Sequence, residues 1–240
     1  MAKEHFIQIE SKNALLELLR EGRDFDRIYL ASSAYKDDKT KEIVDLAAKK
    51  HIPIIKVPKK SLVRRLKASS SESAVGMMKS ENHWNLEDLL ESVFSENKIP
   101  FFIILDDLKY TQNIGAVMRT AFAAGVNGII TAPSDTELVN DETMRISMGA
   151  AERIPIVEMN LFAAVKELQK NDIRVYAVTM EGDPYYKTDL RGPVAFIVGA
   201  EDTGISAGML ERADEKMSIP MREGIGSLNV SASAAILIYE

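Results

Sequence analysis

Residues 99–107 read IPFFIILDD, apolar at every position from Pro100 to Leu105 and then abruptly acidic. A strand with one face in water alternates apolar and polar residues. A strand that is apolar throughout is buried on both faces, as in a parallel sheet covered by helices. Downstream, strands VNGIITAP, IPIVEM, RVYAVTM, PVAFIVGAE and KMSIP are separated by helices IGAVMRTAFAAG, NDETMRISMGAAER, LFAAVKELQKND and AGMLERA. SLNVSASAAILIYE closes the chain as an apolar helix. This alternation predicts an α/β fold with a mainly parallel sheet. The run Pro100 to Leu105 is far shorter than the roughly 20 residues a bilayer requires, and no membrane partner is expected.

The first half has shorter elements. KNALLELLREG predicts a helix with Leu15, Leu16, Leu18 and Leu19 apolar. Strand DRIYLASS, helix KTKEIVDLAAKKH, strand IPIIKVP and short helix KSLVRRLKA complete a small α/β unit. SSSESAVGMMKSENHW then breaks the pattern, and its serines, glycine and mixed polarity predict a loop or mobile connection. NLEDLLESVFSENK reads as a helix approaching the second domain. Two domains are expected, 1–95 and 97–240, with the boundary between Ser69 and Lys98. No fixed-period repeat is visible.

Charge and composition narrow the chemistry. The 240 residues carry 30 Lys and Arg against 36 Asp and Glu, a formal net charge of −6. Residues 1–96 balance at +1 and residues 97–240 at −7. The most basic stretch, KVPKKSLVRRLK, holds Lys56, Lys59, Lys60, Arg64, Arg65 and Lys67. It reads either as a phosphate-contacting patch or as a solvated helix face beside a strand. The absence of cysteine excludes disulfides, thiol nucleophiles and thiolate zinc sites. His5, His51 and His83 lack ligand-like spacing, so no metal is expected. The start, MAKEHFIQIESKNALLELL, is charged from its third residue, unlike a signal peptide, and a cytoplasmic location is expected. The loop LKYTQNIG after FFIILDD lacks GxGxxG. Gly199 to Gly204 has P-loop spacing, but Ile205-Ser206 follows where a P-loop has lysine. No GxSxG elbow is present.

Three loops at strand ends remain. In Asn113-Ile114-Gly115-Ala116-Val117-Met118-Arg119, Asn113 is placed to cap the following helix. Gly115 would admit a ligand or another backbone, and Arg119 lies one turn further on, suited to an anion. An N-cap, a packing glycine and a surface arginine explain the same residues. In Phe196-Ile197-Val198-Gly199-Ala200-Glu201-Asp202-Thr203-Gly204, an apolar strand runs into a glycine and an acid where open α/β sheets hold ligands. A strand-exit turn with a solvated acid is the alternative. In the third, a strand ends at Ile219-Pro220-Met221, and within Ser227-Leu228-Asn229 either Ser227 or Asn229 starts the last helix. A cap would account for one of those polar groups, whereas Asn229 and Ser231 add more than packing explains.

Taken in this order, NIGAVMRTA, IVGAEDTGIS, and IPM before SLNVS resemble the signature motifs of the SpoU/TrmH family of RNA ribose 2′-O-methyltransferases. The resemblance covers Phe101 to Glu240; the first half is similar, more weakly, to the L30e-like RNA substrate-binding domain that precedes the catalytic domain in many members. It implies a SPOUT fold with a deep trefoil knot, S-adenosylmethionine as cofactor, and a homodimer whose subunits complete each site. It further implies a cofactor site at Thr179, Gly199, Ile219 and Leu228, and functional positions at Asn113, Arg119, Glu201, Ser227 and Asn229. The expected reaction is methyl transfer to a ribose 2′-hydroxyl of RNA, with ribosomal RNA favoured over transfer RNA. Arg119 is expected to bind the adjacent phosphate and stabilise alkoxide charge, with proton uptake by a transiently neutral Arg119 as the alternative. Position 200 is Ala where the family usually carries Asn, and a non-catalytic RNA-binding or ribosome-assembly factor on the same scaffold is the second reading.

Overall fold

Along Phe101–Asp106, side chains alternate between two buried faces: Phe102 and Ile104 point to one side, Ile103 and Leu105 to the other. Strands flanking this one show the same double burial, which fixes a sheet with helices on both sides. The computed structural model describes residues 6–34, 37–65, 73–79, 82–134, 138–222, 224 and 226–240. The chain divides into two compact units, residues 1–81 with 139–141, and residues 82–138 with 142–240.

In the second unit, the described strands are β5 (Phe101–Asp106), β6 (Gly128–Thr131), β7 (Ile156–Glu158), β8 (Arg174–Thr179), β9 (Asp183–Pro184), β10 (Val194–Gly199) and β11 (Glu215–Ser218). They form one parallel sheet in the order β7-β6-β5-β10-β8-β11-β9. On one face, α4 (Leu86–Ser95), α7 (Leu161–Lys170) and α8 (Ala207–Leu210) bury Leu89, Leu90, Val165, Leu168 and Met209 against Phe102, Ile104, Val175 and Ile197. On the other, α5 (Thr111–Ala124) packs against the closing helix α9 (Val230–Ile238). Phe196 meets Phe101 edge-on at 5.6 Å and Tyr176 at 6.2 Å, a favoured geometry for aromatic pairs.

The helix expected over NDETMRISMGAAER is two pieces, α6 (Asp141–Ser147) and a 3-10 turn at Ala150–Glu152. The break falls at Met148 and Gly149, both at positive φ. The α4 helix belongs to the core of the second unit, and the two units divide after residue 81, within the expected range of 69–98. No helix of the described residues is long and apolar enough to cross a membrane.

The first unit has the sheet order β1-β4-β2-β3, from β1 (Phe6–Ile9), β2 (Phe25–Ala31), β3 (Ile54–Val57) and β4 (Ala74–Lys79). Helices α1 (Lys12–Glu21), α2 (Asp38–Lys49) and α3 (Lys59–Arg65) connect or flank these strands. β4 corrects the loop expected over SSSESAVGMMKSENHW: AVGMMK is an inner strand, antiparallel to both β1 and β2. Its glycine marks close packing inside a strand, not a turn. Gly76 instead sits where Leu15 and Phe25 side chains would lie 2.6 and 2.7 Å from a Cβ, so the sheet face is filled from neighbouring elements.

Two consequences are measurable. Gly76→Val overpacks that site and should lower stability by about 1–3 kcal/mol, read as a reduced urea midpoint. Asp37 caps α2 through the Thr40 N–H, and the Lys12 ammonium at 2.6 Å, with that N–H, lowers its carboxyl to about 2. A depressed carboxyl stabilises the fold above its ordinary 3.8 and loses that contribution as pH falls toward 2. Asp37→Asn should therefore lower the urea midpoint at neutral pH and leave it unchanged below pH about 2.

Candidate functional site

The turn after β10 is built from a backbone contact that only glycine permits. A Cβ at Gly199 would lie 2.2 Å from the Gly204 carbonyl carbon and 2.4 Å from the Ile205 nitrogen. Gly204 takes φ +68°, and its N–H donates to the Ala200 carbonyl at 2.8 Å, closing the turn. Asp106 ends the neighbouring strand β5, is buried, and accepts the Ser206 N–H at 2.7 Å. The turn is thus fastened at both ends, and residues 200–204 stand at the carboxyl edge of the sheet.

A cavity of about 480 Å³ opens there, at the ends of β8, β10 and β11. Thr179 and Met180 form one wall, Gly199 to Ile205 another, and Ile219, Met221 and Gly226 to Leu228 the third. The volume suits a small molecule, and the position is where open α/β sheets hold ligands. Apolar side chains Val178, Val198, Leu210 and Leu228 face it beside two carboxylates, Glu201 and Asp202. The described lining contains no Lys or Arg. Among the described residues no cluster of His, Asp and Glu is arranged to hold a metal ion.

Three side chains far apart in sequence meet at the edge of this cavity. The Asn113 amide donates to the Glu201 carboxylate, and Asn113 Oδ1 accepts from Asn229 Nδ2 at 3.0 Å. Asn229 caps α9, its Oδ1 accepting the Ser231 N–H at 2.9 Å and the Ser231 hydroxyl at 2.6 Å. Each amide is oriented by its partners, so Glu201 is held by a continuous chain of donors.

The three loops behave differently from their sequence readings in specific ways. Asn113 is no cap: it lies inside α5, whose N-cap is Tyr110, which frees its amide for Glu201. Gly115 admits no ligand; a Cβ there would lie 2.9 Å from Ile146 Cβ, so the glycine lets α6 approach α5. Thr179, Gly199, Glu201, Ile219, Ser227 and Leu228 line one cavity. Arg119 does not. It is exposed on α5, about 9 Å along the helix from Asn113 and about 120° around it. Lys56 on β3 and Lys59 and Lys60 on α3 are exposed in the N-terminal unit. Arg64 and Arg65 end α3, and Lys67 lies outside the described residues. Sequence reasoning missed Asp106 and Met180. The abrupt change from apolar to acidic at Leu105-Asp106 was the available signal for the first.

The profile of the SpoU rRNA Methylase family matches residues 100–239, and that of the RNA 2′-O ribose methyltransferase substrate-binding domain matches residues 9–66. A 23S rRNA (guanosine-2′-O-)-methyltransferase, RlmB, from Xylella fastidiosa (strain Temecula1) is 30% identical over 95% of this chain and 92% of its own length. The AdoMet-bound rRNA methyltransferase from Sinorhizobium meliloti superposes with a TM-score of 0.69 at 21% identity, covering 98% of this chain and 86% of that one. The SpoU methyltransferase AviRb from Streptomyces viridochromogenes, in complex with AdoMet, gives 0.69 at 18% identity over 98% and 88%. These two likenesses show a shared fold.

Gly199→Ala forces backbone against backbone at the turn. It should lower stability by about 1–3 kcal/mol and abolish ligand binding in the cavity, read by thermal melting and calorimetry with S-adenosylmethionine.

Proposed function

The chain belongs to the SpoU rRNA methylase family and is an S-adenosylmethionine-dependent RNA ribose 2′-O-methyltransferase; we propose that its substrate is ribosomal RNA and that the cavity at the ends of β8, β10 and β11 is its active site. The observation that carries this is the chain from Asn229 through Asn113 to Glu201, which ties all three motif loops to one cavity.

The lining fits the cofactor. Apolar side chains with the exposed backbone of three turns suit a flat base, and two carboxylates in a described lining that holds no Lys or Arg suit a positively charged sulfonium. When bound, S-adenosylmethionine supplies an electrophilic methyl group on that sulfur. Thr179, Gly199, Ile219 and Leu228 hold it, and Ser227 shapes the loop ahead of α9. Glu201, fixed by Asn113, orients the ribose hydroxyl, so that much of the rate comes from positioning its oxygen in line. Asn229 holds Asn113 in register. No imidazole lines the cavity among its described residues. Arg119 therefore binds the phosphate beside the target ribose and stabilises charge developing on the oxygen, while the proton passes to water. Uptake of the proton by Arg119 itself is the less favoured route, because a guanidinium stays protonated.

Arg119 stands outside the cavity wall of its own chain, which supports a site completed by a second subunit. The α5 and α9 helices pack together, and α9 is apolar around most of its surface, with Ile236 and Tyr239 exposed. A second copy of the chain covers this face and brings its own Arg119 to the cavity. The return of the chain from β11, through residues that line the cavity beside the 199–205 turn, to α9 against α5 is the path that supports the knot. The N-terminal unit, with Lys56, Lys59, Lys60, Arg64, Arg65 and Lys67, grips the RNA elsewhere through its phosphates.

Tritiated methyl transfer to total RNA, followed by mapping of 2′-O-methyl sites, tests the reading. Incorporation into ribosomal RNA is expected; a chain that binds RNA but no S-adenosylmethionine would be a non-catalytic factor. Arg119→Ala should abolish transfer while leaving the Kd for S-adenosylmethionine unchanged. Mixing Arg119→Ala with Gly199→Ala should restore about a quarter of wild-type activity if Arg119 acts across a dimer, and none if it acts within its own chain.

A further inference from the structure

Several arginines of this protein are paired locally. Arg20, Arg27, Arg174 and Arg191 each face a carboxylate within the ion-pair distance, and Arg212 donates to the Gly208 carbonyl. Three others sit on elements that pack together. Arg119, Arg145 and Arg153 have no carboxylate partner among the described residues, and all three belong to the packed set of α5, α6 and the 3-10 turn at Ala150–Glu152. This happens in the half of the chain that holds 20 acidic residues against 13 basic ones, where counter-charges are abundant. Exposed cations left unpaired in an acidic domain keep their charge for an anion supplied from outside.

Arg153 is the one of the three held against an aromatic ring among the described residues. It is exposed, yet its guanidinium lies 4.6 Å from the centroid of the Phe122 ring. Stacking on a ring fixes the plane of the guanidinium while leaving its N–H groups free to donate at the edges. Phe122 is three residues after Arg119 on α5, so the two side chains are neighbours on the helix surface. Arg153 therefore lies against a ring whose neighbour one turn back on α5 is Arg119, with no carboxylate paired to either arginine among the described residues.

We propose that Arg153 is a second phosphate-binding residue for the RNA substrate, holding the backbone phosphate next to the one that Arg119 engages. The inference rests on the methyltransferase reading, since it takes RNA as the anion and Arg119 as its neighbour at the reacting nucleotide. Phe122 acts as the platform that orients Arg153, so that the ribose-phosphate backbone is gripped at two points and the target 2′-hydroxyl cannot swing away. Arg153 contributes to binding and register, not to the chemical step.

The test compares wild type, Arg153→Ala and Arg153→Lys with a fluorescein-labelled ribosomal RNA fragment containing the mapped site. Binding is read by anisotropy in the presence of S-adenosylhomocysteine over a range of salt, and turnover is read separately. Arg153→Ala should weaken RNA binding about tenfold and lower the slope of log K against log salt by about 0.7 to 0.9, one phosphate's share. The KM for RNA should rise with it, while kcat and the Kd for S-adenosylmethionine stay at wild-type values. Arg153→Lys keeps the charge and should retain the salt slope. An unchanged slope in Arg153→Ala overturns the proposal, and so does a lowered melting temperature with the slope intact, which would mark the stacked arginine as structural. A wild-type chain that binds this RNA but transfers no methyl group would sink the methyltransferase reading, while Arg153 would still stand or fall on the slope.

Discussion

The contact between Gly199 and the backbone of Gly204 and Ile205 governs the functional half of the molecule. Because the chain folds back on itself at that distance, the turn after β10 is compact enough to stand beside the ends of β8 and β11. The buried Asp106 carboxylate holds the far end of the turn through Ser206, and β5 and β10 pair along their full lengths to keep Asp106 level with Gly199. Glu201 is projected from the middle of this fixture. Its position is a property of the sheet, and Asn113 and Asn229 reinforce it from two further loops.

Charge is distributed to match. The cavity side of the turn carries carboxylates and apolar walls, as the proposed cofactor site requires, whereas Arg119, Arg145 and Arg153 on and after α5 and α6 have no carboxylate partner among the described residues. The separation matters because RNA and the methyl donor carry opposite charge, yet their reacting atoms must be brought to about 3–3.5 Å. An acidic protein can bind RNA on such terms, since phosphates respond to the local field within roughly a Debye length of about 10 Å. The net charge of −6 discourages indiscriminate contact with nucleic acid elsewhere on the surface.

Much of the fold was legible because burial leaves a periodic trace. The doubly apolar runs at 101–105 and 194–198 announced a parallel sheet, and the amphipathic repeats of α1, α2 and α7 announced the helices. The inner strand β4 was not legible. Ala74, Gly76 and two methionines carry little β-branched character, and the strand is held by Leu15 and Phe25 filling the space over its glycine. α6 was overextended for a related reason: its apolar spacing continues through Met148 and Gly149, but both adopt positive φ and break the helix. The partner of Asn113 was not legible because capping is a local rule, and the carboxylate it meets is 88 residues away.

The sequence alone determined the α/β class, the two-part organisation, the glycines of the β10 turn and the set of polar residues at three strand ends. These follow from hydrophobic periodicity and backbone sterics, which act within a few residues and are written in local order. Only the tertiary structure decided that Asn113, Glu201 and Asn229 form one hydrogen-bonded chain, and that Gly115 serves helix packing. It also left Arg119 off the cavity wall of its own chain and laid Arg153 against Phe122, one turn further along α5. Those outcomes depend on which helix faces meet and at what rotation, and no single segment carries that information.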